Sequence, residues 1–149
     1  LSFMLMSPGA NTDGEYEMFG VGKIFEAKGN VEGMKDCFEA CAGSGSYLIK
    51  AQAVKRLTRV YKREGSYEKA LMHWKSLDEE GAGFEIFHQV EMAKYYEHKA
   101  KDIKTALIIV DKALGKCLSA GLTGGRQVEE LKKRRERLLR KLQRIAERN

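Results

Sequence analysis

Apolar residues recur along this chain at spacings of three and four, the period of a helix with one buried face. Val54, Leu57, Val60 and Tyr61 form one such series, and Tyr67, Ala70, Leu71, Trp74 and Leu77 form the next. Gly65-Ser66 interrupts the pattern between them, which predicts two helices joined by a tight turn. Glycine reaches the left-handed backbone conformation that ends a helix without steric penalty. Ser66 is then placed to cap the following helix, with Lys69 where a capping box carries Glu.

The same arrangement occurs three times. A step back of 36 residues from Tyr61, Gly65, Tyr67, Ala70, Trp74 and Leu77 reaches Phe25, Gly29, Val31, Met34, Phe38 and Cys41. A step forward from Tyr67, Ala70, Trp74 and Leu77 reaches Ile103, Ala106, Val110 and Ala113, while Tyr96 matches Tyr61 if one extra residue sits near Ala100. Asn30 and Asp102 take the capping place of Ser66. The repeats therefore cover residues 16–44, 52–80 and 86–118. Ala70 and Ala106 are short where two helices must cross closely. Met34 replaces them in the first copy and Gly33 beside it weakens a helix by about 1 kcal/mol against alanine, so the first hairpin is expected to be looser.

Beyond the repeats, Val128, Leu131, Leu138, Leu142 and Ile145 form one apolar stripe with basic residues on the other faces. This predicts a capping helix over 126–147, the polar-backed end that a stacked helical array requires. Residues 1–12 have no period and are expected to form an irregular leader, with connectors at Gly43–Ser46 and Gly121–Gly125. The fold class expected is all-α: one domain over 13–149, a solenoid of three helical hairpins closed by the basic helix.

Composition supports this reading. One proline in 149 residues suits helices, and a chain of this length buries about two-thirds of its unfolded surface without a metal or disulfide staple. Cys37, Cys41 and Cys117 are odd in number and form no CxxC pair, so a reducing compartment and a cytoplasmic location are expected. Cys37 and Cys41 stand one helical turn apart but have no His partner nearby in sequence, and read as buried thiols. The opening Leu-Ser-Phe-Met-Leu-Met run is too short and lacks the basic flank of a signal peptide. A first residue of Leu rather than Met suggests a piece of a longer polypeptide.

The pattern from Val54 to Leu77, aromatic-xxx-Gly-x-Tyr-xx-Ala-xxx-aromatic, resembles the tetratricopeptide repeat, and the likeness covers about Tyr16 to Gly115. More narrowly, LTRVYKREGSYEKALMHWKSL followed by VEMAKYYEHKAKDIKTALIIVDKAL is similar to the C-terminal helical region of bacterial proteins that carry an N-terminal ribonuclease-H-like exonuclease domain. No acidic constellation of that nuclease is present, so no catalytic residue carries over. The period exceeds the usual 34 or so, which leaves groove curvature open. In tetratricopeptide arrays the first helix of each pair lines the concave surface. The resemblance thus implies a basic groove lined by Lys23, Lys55, Arg56, Arg59, Lys62, Arg63 and Lys94, complementary to an acidic peptide, a carboxylate terminus or a phosphate backbone. Phe19 and Lys23 stand where some members carry a Lys/Asn clamp for a peptide carboxylate, but the asparagine is absent.

Charge is unevenly spread. Residues 126–149 hold ten Lys/Arg against four Asp/Glu, and the remainder holds seventeen of each, so the net +6 lies in the tail. Lys133, Arg134, Arg137, Arg140, Lys141 and Arg144 are the candidate nucleic-acid contacts there. The stretch has no interleaved aromatic for base stacking, and a Glu129–Lys133 pair suits a solvated cap equally well. His73, His88 and His98 join no nucleophile by a recognisable motif; His98 is expected as a cation at a helix C-terminus. Trp74, Tyr67 and Phe38 read as inter-helix core. No cofactor, metal, membrane or small-molecule substrate is implied. The expectation is a non-catalytic interaction scaffold for an acidic partner; the alternative is a nucleic-acid-binding accessory domain beside a nuclease.

Overall fold

The computed structural model describes residues 12–43, 45–81 and 85–149. All regular structure within them is helical: α1 (Thr12–Ala27), α2 (Val31–Ala42), α3 (Tyr47–Arg63), α4 (Tyr67–Glu80), α5 (Phe87–His98), α6 (Ile103–Ser119) and α7 (Arg126–Arg148). The helices belong to two compact units, 1–77 and 78–149, whose boundary falls inside α4. The leader expected over 1–12 lies, apart from Thr12, outside the described residues.

In the first unit the repeat shows itself in the turns. Gly29 takes φ +76° and Gly65 φ +77°. After each, the chain folds back through a long return bond: Asn30 N–H donates to the Phe25 carbonyl at 2.9 Å and Ser66 N–H to the Tyr61 carbonyl at 2.8 Å. This satisfies the last carbonyls of each helix in the manner of a Schellman motif. Asn30 then caps α2, its Oδ1 accepting Gly33 N–H at 3.0 Å. Ser46 caps α3 through Ile49 N–H at 3.5 Å, so the expected connector ends in a helix start.

The first hairpin is not the loose one that Met34 predicts. Met34 is buried, and two glycines provide the close approach instead. A Cβ on Gly33 would stand 2.9 Å from the Phe25 ring, and one on Gly22 would stand 2.6 Å from the Phe38 ring. The short residue has moved by one position, and the aromatic rings fill the space that it leaves. Phe38, Val54, Leu57, Trp74 and Leu77 complete this core. Trp74 Nε1 donates to Thr58 Oγ1 at 3.1 Å, and that hydroxyl donates to the Val54 carbonyl at 2.7 Å. The indole is therefore buried without losing its hydrogen bond.

In the second unit α5 and α6 form a hairpin, and α7 packs on α6. Asp102 N–H reaches the Tyr96 carbonyl at 2.8 Å, one residue further than the return bonds of the earlier turns. This is the extra residue near Ala100. Lys101 takes the left-handed conformation here, at φ +57°, where the other turns use glycine. Asp102 caps α6, accepting from Thr105 N–H at 3.1 Å and Thr105 Oγ1 at 2.6 Å. Val128, Leu131 and Leu138 of α7 are buried, each leucine worth about 1.5–3 kcal/mol on burial. The stripe does not run to the end as expected. Leu142 is half-buried, and Ile145 is 44% exposed. Among the described residues no helix is long and apolar enough to cross a membrane.

Candidate functional site

Two basic helices carry the candidate chemistry. α3 holds Lys50, Lys55, Arg56, Arg59, Lys62 and Arg63 and not one acidic residue. Val54, Leu57 and Tyr61 bury one face, which leaves Lys55, Arg59 and Arg63, spaced by four, exposed on the other. Arg59 and Arg63 have no ion-pair partner among the described residues.

The other residues of the expected groove are placed differently. Arg56 is ion-paired with Glu26 and lies over the Phe19 ring, its Cζ 5.9 Å from the centroid. Lys23 Nζ is 5.2 Å from the same centroid, and Phe19 in turn packs on Phe38 at 5.5 Å. Arg56 is thus a structural cation bridging α1 and α3. Lys62 is half-buried. Lys94 belongs to the second unit, 3.7 Å from Glu91, on the edge of a cleft of about 220 Å³ walled by Ile86, Phe87, Val90 and Leu131.

Behind α3, Glu39 gathers two polar rings. Tyr61 Oη donates to Glu39 Oε1, and His73 Nε2 lies 2.9 Å from the same oxygen. A carboxylate only accepts, so Nε2 carries the proton. The two rings stack with centroids 6.2 Å apart. Burial and the Glu39 carboxylate push the Tyr61 phenol above its ordinary range, so it is a donor at any working pH.

α7 uses its charge in another way. Glu97, from α5, has a side chain with 0% exposure, and three cations of α7 converge on it. Arg137 Nε and Nη2 donate at 2.9 and 2.8 Å, Lys141 Nζ at 2.6 Å and Arg134 Nη1 at 3.0 Å. Burial alone would raise this carboxyl. The hydrogen bonds from Arg137 and Lys141 outweigh it and hold the pKa at about 2. The spacing Arg134, Arg137, Lys141 puts all three along one edge of the helix. Lys133, Arg140 and Arg144 are exposed and have no ion pair among the described residues. The six candidate contacts of this helix thus divide into three tied inward and three free. Glu129 pairs with Lys132 at 3.6 Å rather than with Lys133.

Sequence reasoning missed Glu97 as the centre of this group. A signal was present: Gln89, Ala93 and Glu97 recur at four-residue spacing on the buried face of α5. The expected cation at His98 is also corrected. Partial burial and the nearby charges of Lys141, Arg137 and Arg134 lower its pKa against the raising effect of Glu97, which disfavours the cationic ring.

His88 is fully buried, and among the described residues neither ring nitrogen has a hydrogen-bond partner; Asp78 Oδ1 stands 3.5 Å from Nε2. Burial, helped by the charge of Lys116, lowers its pKa to about 4. Asp78 is held by Lys112 Nζ at 2.7 Å and Gln89 Nε2 at 3.0 Å. All three cysteines are buried thiols, and burial pushes Cys41 up to about 12, far from reactive thiolate.

No protein-family model matches the sequence, and neither a curated protein nor a solved structure is similar to it.

Proposed function

We propose that this chain is a helical-repeat scaffold of the tetratricopeptide type, three hairpins and a basic cap, which docks an acidic protein or peptide through α3. The observation that carries this reading is α3 itself. A helix with six cations and no acid of its own sets like charges one turn apart, which repel. Arg56 is relieved by Glu26, whereas Arg59 and Arg63 are left for an outside carboxylate. Guanidinium groups one turn apart suit bidentate pairing with successive acidic side chains. The narrower resemblance makes this a part of a larger protein, with the groove docking beside a ribonuclease-H-like domain. The role proposed is non-catalytic and needs no cofactor.

The test is binding of a labelled glutamate-rich peptide by fluorescence anisotropy. Affinity should fall steeply with added salt and be lost on reversal of Lys55, Arg59 and Arg63 to Glu. Binding that survives the triple reversal would sink the α3 reading.

A second reading, nucleic-acid binding by α7, has its own observation in the exposed cations Lys133, Arg140 and Arg144. There, labelled DNA or RNA should bind with a strong salt dependence that reversal of these three residues removes. Unchanged binding would dismiss it.

A further inference from the structure

At the C-terminal end of α7 the second unit opens into a cleft of about 310 Å³. Glu97 forms its floor, Ile103 and Ile145 contribute apolar wall, and Lys101, Lys141, Arg144 and Arg148 line it. Four cations against one carboxylate leave a surplus of positive charge, and even that carboxylate is already engaged by Arg134 and Arg137 from outside the cleft. We infer that this cleft is a binding site for a phosphate-bearing ligand.

Three features support the inference. The Lys141 ammonium is fixed by its 2.6 Å bond to a fully buried acceptor, so one cation is preorganised before a ligand arrives. Lys101, Arg144 and Arg148 have no ion pair among the described residues, and all three lie at the same cleft. The third feature is the backbone at Lys101. A lysine in the left-handed region costs about 1 kcal/mol or more where glycine costs little, and the first two turns do use glycine at this point. The left-handed turn places Lys101 at the mouth of the cleft beside the start of α6. That helix start is already capped by the Asp102 carboxylate through Thr105 N–H and Oγ1, so the cations of the cleft, not the helix end, are left to meet a ligand. Phosphate oxygens accept from guanidinium and ammonium groups together and tolerate several donors at once, which matches a floor and rim of this kind. A carboxylate ligand offers too few acceptor oxygens for four cations. The site is independent of the α3 face.

The experiment is isothermal titration of the whole chain with inorganic pyrophosphate at low salt. Variants R144E/R148E and K101G change cations outside the Glu97 group, so folding is retained, and circular dichroism checks it. The expected result is a weakening of about tenfold or more for each charge removed. Reversal of Lys133 and Arg140 on the same helix, or of Lys55, Arg59 and Arg63 on α3, should leave pyrophosphate affinity unchanged. Equal loss from the K133E/R140E control would overturn the cleft in favour of diffuse attraction, and absence of binding would overturn it outright. Two further arms identify the source of the phosphate. Tighter binding of a mononucleotide than of an oligonucleotide assigns a free nucleotide, and preference for a 5′-phosphorylated oligonucleotide over its 5′-hydroxyl twin assigns a nucleic-acid end. Either outcome supports the phosphate site.

Discussion

α3 and α7 are the most basic helices of the chain, and they dispose of their charge in opposite directions. α3 buries apolar residues and turns Lys55, Arg59 and Arg63 outward, while α7 turns Arg134, Arg137 and Lys141 inward onto one buried carboxylate. The difference lies in the facing helix. α1 offers α3 the partly exposed Glu26, which pairs with Arg56, whereas α5 offers α7 a glutamate with no access to water. A count of cations therefore says little about how many are available to a partner.

The contrast is most directly broken at the two acceptors. Replacing Glu97 by Gln leaves two guanidinium groups and an ammonium without their counter-charge, and should lower stability to urea by about 3–5 kcal/mol. Glu26→Gln should cost at most about 1 kcal/mol, because its pair with Arg56 is partly solvated. Equal losses in urea titrations would show that burial of the acceptor is not what separates the helices.

Acid sharpens the same point. Folding depresses the Glu97 pKa from 4.5 to about 2, so the folded chain keeps this group ionised where the unfolded chain takes up a proton. Its contribution is complete above about pH 4.5 and disappears as pH falls toward 2. The Glu97→Gln variant should lack that part of the slope in a stability-against-pH series.

Smaller effects follow from neutral groups. Thr58→Val leaves the Trp74 indole N–H buried without an acceptor and should cost about 1–3 kcal/mol, with a shift in the fluorescence of the single tryptophan. His88 is held neutral: its folded pKa lies near 4 against 6.5, so stability falls as pH drops from 6.5 toward 4. His88→Phe should remove that slope and change stability at pH 7 by about 1 kcal/mol or less, since neither ring nitrogen is hydrogen-bonded among the described residues. Smallest of all, Arg59→Glu should alter urea stability by no more than about 0.5 kcal/mol while it weakens binding to an acidic peptide.

Much of the helical plan was legible because its signals are local. Gly29, Gly65, Asn30 and Asp102 act within a few residues of themselves, and each ends or begins a helix where the spacing predicted. The extra residue near Ala100 was legible for the same reason. Two things were not. The close approach of α1 and α2 rests on Gly22 and Gly33 beneath aromatic rings, and nothing local distinguishes a helical glycine that weakens from one that admits a neighbour. The sorting of α7's cations was hidden more deeply. Whether Arg137 faces water or a carboxylate depends on Glu97, 40 residues earlier, and an acid inside a Tyr-Tyr-Glu-His run looks like any surface charge. On α3 the exposure of Lys55, Arg59 and Arg63 follows from the local helical period, whereas the pairing of Arg56 with Glu26, 30 residues earlier, does not.

The separation between Glu97 and its cations has a consequence for the order in which the molecule is made. Arg134 and Lys141 follow Glu97 by 37 and 44 residues. At about 5–20 residues per second, a ribosome leaves this glutamate without Lys141 for roughly 2–9 seconds. Glu39, by contrast, meets Tyr61 and His73 after 22 and 34 residues. During synthesis α5 and α6 can pair, but the glutamate must stay hydrated until α7 emerges to cover it, so the second unit closes late and around its last helix.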